Sequence, residues 1–420
     1  MLAAVLAVIA LALVLDRQEP YREPRAASPA PAASLTAAEV QRIARRVERI
    51  RQLRFERPVE PLFVDREEAI RLQHEGTVED TGSSRAADEE ALKLLGLIPA
   101  QESLAKAFAA VEREQVLGFY DDSRKRLVVV RDRQASRPLL EITLAHELVH
   151  ALEDQRFGLR TRAAVSDDAA LAETALAEGT ATLVMAEYAV RYFGINDALA
   201  LLGAADSDTG LPRYVEDALV FPYVRGLEFV EAFRHESGSW KALDNVIRLR
   251  RPSTVEQVIH ADKYAVDERA APPRMPDLGL ALGAGWQQLG TSSVSELDLR
   301  ELFAIVGRSP DRQAAAGWGG GRFELWRRGS AQGCVAPCIE RDVGVMLLRW
   351  DTRRDRRDAE RALGATFPKG LRARTLEGRQ EGRLWSSRGG VIAMTGAGLN
   401  TVIVLAPDAE TAARVRALVG

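Results

Sequence analysis

The stretch His146-Glu147-Leu148-Val149-His150 places two imidazoles and a carboxylate on one turn of a predicted helix. The flanking residues from Leu139 to Asp154 contain no proline or glycine, which indicates one continuous helix. Side chains four residues apart share a helix face, so both imidazoles can reach one metal ion. Zinc suits this donor set, because it binds neutral imidazole nitrogens and keeps a position open for water in catalytic sites. The sequence therefore predicts a zinc-binding helix, with Glu147 as the general base that acts on that water.

The third zinc ligand is expected from a second predicted helix at residues 167–183. Glu178 is followed by small residues at positions 179 and 181, which would let this helix approach the zinc-binding helix closely. Glu173 is the alternative ligand. It lies about 500° of helical rotation before Glu178, so the two carboxylates do not share a face. We expect zinc to be held by His146, His150 and Glu178.

These residues resemble those of the gluzincin zinc metallopeptidases, in which two histidines and a glutamate hold zinc. Glu178-Gly179-Thr180-Ala181 is similar to the third-ligand motif of the aminopeptidase branch. The run from His146 to Asp154 is similar to the zinc helix of thermolysin-like enzymes. The resemblance implies a zinc-dependent peptidase that acts on peptide or protein substrates, with Zn²⁺ as its cofactor.

The surrounding region also resembles an uncharacterised bacterial exported family. That family has a Gly-Phe-Tyr-Asp hairpin before the zinc helix and a Pro-Ser-Thr-x-Glu-Gln-x-x-His stretch after it. Here the runs at 116–120 and 126–130 are rich in β-forming residues and are separated by a polar turn, which predicts such a hairpin. In zinc peptidases, a strand beside the zinc helix pairs with the extended substrate.

A peptidase of this kind also needs a hydrogen-bond donor to the developing oxyanion. His260, in the later motif, is the predicted catalytic donor, and a structural histidine is the alternative. Tyr264 lies in the same stretch, while Tyr223 and its neighbour Arg225 are rival donors. Asp154 is expected either to orient a ligand histidine or to lie on the helix surface.

The composition predicts a folded α+β protein. Its 420 residues are 46% hydrophobic and 28% charged, with a net charge of −3 and no basic patch that would indicate nucleic-acid binding. We expect a mainly helical, zincin-like catalytic domain with a small β-hairpin or sheet at residues 36–313. Pro212 and Pro222 should break its later helices, and the glycines at 317–321 should form a turn. An α+β sandwich should follow at 314–420, with strands at 343–350, 384–387, 390–395 and 400–405 and helices at 353–363 and 409–419.

The N-terminal residues indicate export. Residues 1–15 form an apolar run too short for a membrane-spanning helix, which needs about twenty residues, and this favours a signal peptide or N-terminal membrane anchor. A linker rich in proline and alanine follows at 16–35. The protein is expected to be secreted or tethered to the outer face of a membrane, where Cys334 and Cys338 would form a local disulfide.

A second class of function stays open: a non-catalytic, zinc-stabilised binding or scaffold module of the cell envelope. The intact Glu147 argues against it, because a binding module does not need that carboxylate. The sequence leaves the oligomeric state and the cleavage preference undefined.

Overall fold

The computed structural model describes residues 35–76, 82–107, 117–131, 136–158, 166–194, 210–237, 239–305, 313–330, 333–334, 336–376, 383–387 and 389–420. The expected export segment at 1–15, and all but the last residue of the 16–35 linker, lie outside these ranges. Within them, no helix combines the length and the apolar character needed to cross a membrane.

The fold is of the mixed α+β class, as the sequence predicted. The helices are α1 (Ala37–Arg51), α2 (Arg66–Gly76), α3 (Gly82–Leu94), α4 (Arg137–Phe157), α5 (Asp167–Phe193), α6 (Arg213–Ser237), α7 (Trp240–Leu249), α8 (Val255–Ile259), α9 (Ala261–Ala265), α10 (Gly279–Leu282), α11 (Glu296–Ala304), α12 (Arg353–Gly370) and α13 (Ala409–Val419). The strands are β1 (Pro61–Val64), β2 (Gly118–Asp121), β3 (Arg126–Val130), β4 (Trp286–Ser293), β5 (Trp318–Arg328), β6 (Asp342–Trp350), β7 (Arg374–Thr375), β8 (Arg383–Ser387), β9 (Gly390–Ala397) and β10 (Asn400–Ala406).

A helical core surrounds α4 and buries apolar side chains from α1, α5, α6 and α7. A three-stranded sheet in the order β1-β3-β2 packs against it. The predicted hairpin is confirmed as the antiparallel pair β2 and β3. The parallel partner β1 lies in a region that the sequence predicted to be mostly helical.

The predicted zinc-binding helix is α4, and its ends are formed by residues that favour helix termini. Ser136 is the N-cap, and its hydroxyl accepts a hydrogen bond from the Leu139 N–H at 3.4 Å. Pro138 lies in the first turn, where a missing backbone donor costs little. Gly158 follows the last residue with a φ of 69°, a conformation that glycine adopts readily.

The second part of the fold is a seven-stranded sheet in the order β4-β5-β6-β10-β9-β8-β7. Helices α3, α11 and α12 pack on one face, and α10 and α13 pack on the other. The predicted strands from residue 343 onward are confirmed as β6, β8, β9 and β10, and the final predicted helix is confirmed as α13. The sheet includes β4, so it begins before residue 314, where the sequence placed the domain boundary.

Two predicted interruptions of secondary structure are corrected by the fold. The glycine run is a turn only as far as Gly317, and the later glycines belong to β5. A Cβ on Gly321 would lie 2.7 Å from the carbonyl oxygen of Val294, the residue after β4. The lack of a side chain at Gly321 therefore lets the end of β4 lie close to β5. Pro222 lies inside α6. The lost helical hydrogen bond costs about 3 kcal/mol, which burial of Phe221 and Leu227 in the helical core offsets.

Candidate metal centre

The side chains of His146, His150 and Glu178 converge between α4 and α5. His146 Nε2 lies 3.0 Å from Glu178 Oε2 and 3.1 Å from His150 Nε2, and His150 Nε2 lies 3.5 Å from Glu178 Oε1. Zinc–ligand bonds of about 2.0–2.2 Å at tetrahedral angles separate neighbouring ligand atoms by about 3.3 Å. The three observed separations bracket this value, so the donor set fits a zinc ion in both chemistry and spacing.

Glu173, the alternative ligand, points elsewhere. Its carboxylate lies 3.8 Å from Arg251 Nη1, and Arg251 also donates to the Gly158 carbonyl at 2.9 Å. The structure therefore brings Glu178, and not Glu173, to the two histidines.

The charges of the ligand set stabilise one another. Burial alone would raise the pKa of Glu178, but the imidazoles of His150 and His146 hold that pKa well below its usual value. Burial opposes the charged form of His150, yet the Glu178 carboxylate raises the pKa of this imidazole to about 9. His146 Nδ1 is buried and has no hydrogen-bond partner within the described residues, which leaves Nε2 as the nitrogen turned toward the other two ligands.

Glu147 is held against the edge strand of the small sheet. Its Oε2 accepts a hydrogen bond from the Tyr120 N–H at 2.9 Å. Burial raises the pKa of Glu147, although the neighbouring imidazoles and the Tyr120 N–H oppose this shift. The carboxylate is thus next to the ligand set and fixed by the backbone of β2. This contact to Tyr120 could not be predicted from the spacing of residues along the chain.

Tyr223 approaches the ligand set from α6. Its ring centre lies 6.2 Å from that of His146. The charge of Glu178, and then burial, raises the pKa of Tyr223 well above its usual value, so the hydroxyl keeps its proton and can donate it in a hydrogen bond.

A close backbone contact between α5 and α6 explains how Tyr223 and Glu178 meet. A Cβ on Gly179 would collide with the Gly226 backbone, and one on Gly226 would collide with the Ala175 carbonyl oxygen. Glu178 is adjacent to Gly179, and Tyr223 lies about one turn before Gly226. The two glycines therefore set the distance between the helices that carry these two side chains.

The described contacts of His260 do not reach the ligand set. Its Nε2 lies 3.0 Å from Glu296 Oε1 on α11, and Glu296 is fully buried. Of the other candidate donors, Tyr264 donates its hydroxyl to the Arg250 carbonyl at 2.5 Å, and Arg225 pairs with Glu228. Among the donors predicted from sequence, Tyr223 is the one that the structure brings next to a ligand histidine.

Asp154 joins the hairpin to the C-terminal end of α4. It accepts hydrogen bonds from the Tyr120 hydroxyl at 2.7 Å and from Lys125 Nζ at 2.6 Å. These contacts place the hairpin against α4 and support the position of the Tyr120 N–H.

Helix α1 binds α4 on both sides of the ligand histidines. Arg42 and Arg46 pair with Glu141 before them, and the fully buried Arg51 pairs with Glu153 after them. The sequence offered a weak signal for these pairs, since Glu141 and Glu153 are acidic residues that lie between apolar residues of this helix.

Residues 283–416 match a protein family described as a domain of unknown function (DUF8575). The match covers the region of the seven-stranded sheet and leaves out His146, Glu147, His150 and Glu178. No curated protein and no solved structure matches the chain.

Proposed function

We propose that the protein is a zinc-dependent peptidase that hydrolyses peptide bonds in peptide or protein substrates. The observation that carries this proposal is the convergence of His146, His150 and Glu178, with Glu147 on the same turn of α4. A zinc ion held by these three ligands would supply an activated water and polarise the substrate carbonyl.

Glu147 is the proposed general base. It takes a proton from the attacking water as the new carbon–oxygen bond forms at the carbonyl carbon. It then passes this proton to the amide nitrogen as the carbon–nitrogen bond breaks, so that the products are a carboxylate and an amine. The Tyr120 N–H keeps the carboxylate in place for both transfers.

Tyr223 is the proposed donor to the oxyanion that develops on the carbonyl oxygen. Its position beside His146 and its retained proton support this role. A preorganised donor of this kind is worth about a hundredfold or more in turnover.

The backbone groups along the edge of β2 support the proposal of a peptide substrate. The Val130 N–H donates to the Leu117 carbonyl at 3.0 Å, and the direction of backbone groups alternates along an antiparallel strand. The N–H and carbonyl groups of Gly118 and Tyr120 therefore point away from β3. Tyr120 uses its N–H for Glu147, and the other three groups can pair with an extended peptide chain next to the ligand set.

The apolar run at residues 1–15 favours action outside the cell or in the cell envelope.

The competing proposal is a zinc-stabilised binding or scaffold module. It has the same three zinc ligands, but in it Glu147 has no catalytic role.

The test is the release of new amines from casein and from a mixed peptide library by the zinc-loaded full chain. Wild type should release amines, and Glu147→Gln should lose activity by at least about a hundredfold while keeping its zinc. Glu173→Gln is the matched control, because it makes the same change on the neighbouring helix and should keep both zinc and activity. If wild type and the variants hold the same amount of zinc but wild type releases no amines, the peptidase proposal is overturned and the binding module is favoured.

A further inference from the structure

A cavity of about 300 Å³ lies between the helical core and the seven-stranded sheet. Helices α3, α5, α6 and α11 and the end of β4 surround it. Much of its wall is apolar and includes Leu92, Leu95, Leu171, Leu302, Phe323 and Met346. This volume and lining are typical of sites for small organic molecules, which often lie between domains.

The polar part of the cavity is acidic. Asp88, Asp167, Asp168 and Asp298 line it, and none of the described residues that line it is lysine, arginine or histidine. Asp298 already accepts hydrogen bonds from the Tyr214 hydroxyl at 2.6 Å and from the N–H and hydroxyl of Ser295, both at 2.7 Å.

Asp168 differs from Asp298 because half of its carboxylate is unused. The residue is only 5% exposed. Its Oδ1 accepts a hydrogen bond from the Val255 N–H at 2.8 Å, while Oδ2 accepts none within the described residues. A buried carboxylate without a cationic partner is unfavourable, because burial removes the water that stabilises its charge.

We propose that this cavity binds a small organic cation, with a protonated amine at Asp168 and an apolar body against the leucine-rich wall. The Oδ2 atom of Asp168 accepts the ammonium hydrogen bond that the protein itself does not supply. A metal ion fits less well, because these aspartates are not among the groups of three close ligating side chains in the described chain.

The cavity is separate from the metal centre. Asp168 and Glu178 lie ten residues apart on α5, which corresponds to about 15 Å along the helix. Binding of an amine at Asp168 therefore does not depend on zinc or on peptidase activity.

The protonation of Asp168 gives the site a pH dependence. Burial, and then the charges of Asp298 and Glu296 on α11 and of Asp167 on α5, raise the pKa of Asp168 to about 7. The hydrogen bond from the Val255 N–H opposes this shift. Asp88 on α3 and Tyr214 on α6 face the same cavity. Amine binding should strengthen by about tenfold between pH 6 and pH 8, as Asp168 becomes charged.

The experiment is calorimetric titration of the full chain at pH 8 with three probes of similar shape: 4-phenylbutylamine, 4-phenylbutan-1-ol and 4-phenylbutyrate. The amine should bind at least about tenfold more tightly than the alcohol, and the carboxylate should not bind. Failure of the amine to bind, or equal affinity for amine and alcohol, would overturn the proposal.

Variants then locate the site. Asp168→Asn keeps an acceptor for Val255 and should lose the preference for amine, whereas the exposed Asp262→Asn should keep it. Ala218→Phe fills the cavity from α6 and should weaken amine binding by at least about tenfold even if Asp168→Asn folds poorly. Glu178→Gln should leave amine binding unchanged. Loss of binding in Glu178→Gln alone would move the amine to the metal centre and overturn the cavity assignment.

Discussion

Two of the three clusters in the described residues that meet the same geometric requirement for a metal ion differ in charge. His146, His150 and Glu178 form one, and Glu256, Glu268 and Asp351 form the other. The second cluster already contains a cation. Lys263 Nζ lies 2.6 Å from Glu256, 2.8 Å from Glu268 and 2.7 Å from Asp351.

The difference shows that close ligands do not by themselves indicate a metal site. An ammonium at the middle of three carboxylates occupies the position that a metal ion would need, and it balances much of their charge. No lysine or arginine pairs with the described ligand atoms of the first cluster, whose donor set is the one that zinc prefers. The two clusters are distinguished by their balance of charge more than by the distances between their side chains.

The largest expected effect is the loss of zinc from Glu178→Gln. This variant keeps the size of the side chain and removes its charge, so zinc affinity should fall by more than about a hundredfold. Zinc per chain, measured by elemental mass spectrometry, should drop from one to near zero. Asp351→Asn, in the lysine-centred cluster, should retain full zinc, and retention of zinc by both variants would contradict the ligand assignment.

The next effect concerns Lys263→Met. Removing the ammonium leaves Glu256 and its neighbours without their cation, so the free energy of unfolding should fall by roughly 3–5 kcal/mol. Urea denaturation measures this change, and the exposed Lys241→Met should alter stability by less than about 0.5 kcal/mol. Unchanged stability of Lys263→Met would show that the carboxylates are balanced in some other way.

A smaller effect separates the two candidate oxyanion donors. Tyr223→Phe should lower turnover by about a hundredfold with unchanged zinc content, because the hydroxyl beside His146 is lost. His260→Phe removes a partner of the buried Glu296 and should lower stability with little change in turnover. The reverse pattern in steady-state kinetics would return the catalytic role to His260.

The last effect comes from Asp168, a buried carboxylate that has no lysine, arginine or histidine partner among the described residues. Its pKa is raised from the ordinary value of 3.8 to about 7 in the folded protein, so its contribution to stability is full below pH 4 and is lost as the pH rises to 7. Asp168→Asn does not undergo this loss. Its melting temperature relative to wild type should therefore rise by several degrees between pH 4 and pH 8. A constant difference across this range would mean that Asp168 titrates normally.

The helix that carries His146 and His150 could be predicted from sequence because its information is local. The spacing of His146 and His150, the hydroxyl at Ser136 and the glycine at 158 together define the face, the start and the end of α4. Four strands of the C-terminal sheet, β6, β8, β9 and β10, were also predicted, because each contains a short apolar run, whereas β4, β5 and β7 were not predicted.

The contacts between elements that are distant in the sequence were harder to predict. The small residues after Glu178 were expected to admit the zinc-binding helix, but Gly179 instead contacts Gly226 of α6. Helical periodicity defines which residues share a face and does not define which element packs there. For the same reason, the pairing of His260 with Glu296 could not be predicted from sequence.

The arginines of α1 have a consequence for how the chain can be matured. A protease that cut after Arg51 would remove the partners of Glu141 and Glu153, and two buried carboxylates beside the ligand histidines would lose their counter-ions. Loss of residues 37–51 should therefore destabilise α4, so any trimming that keeps this fold should end before α1.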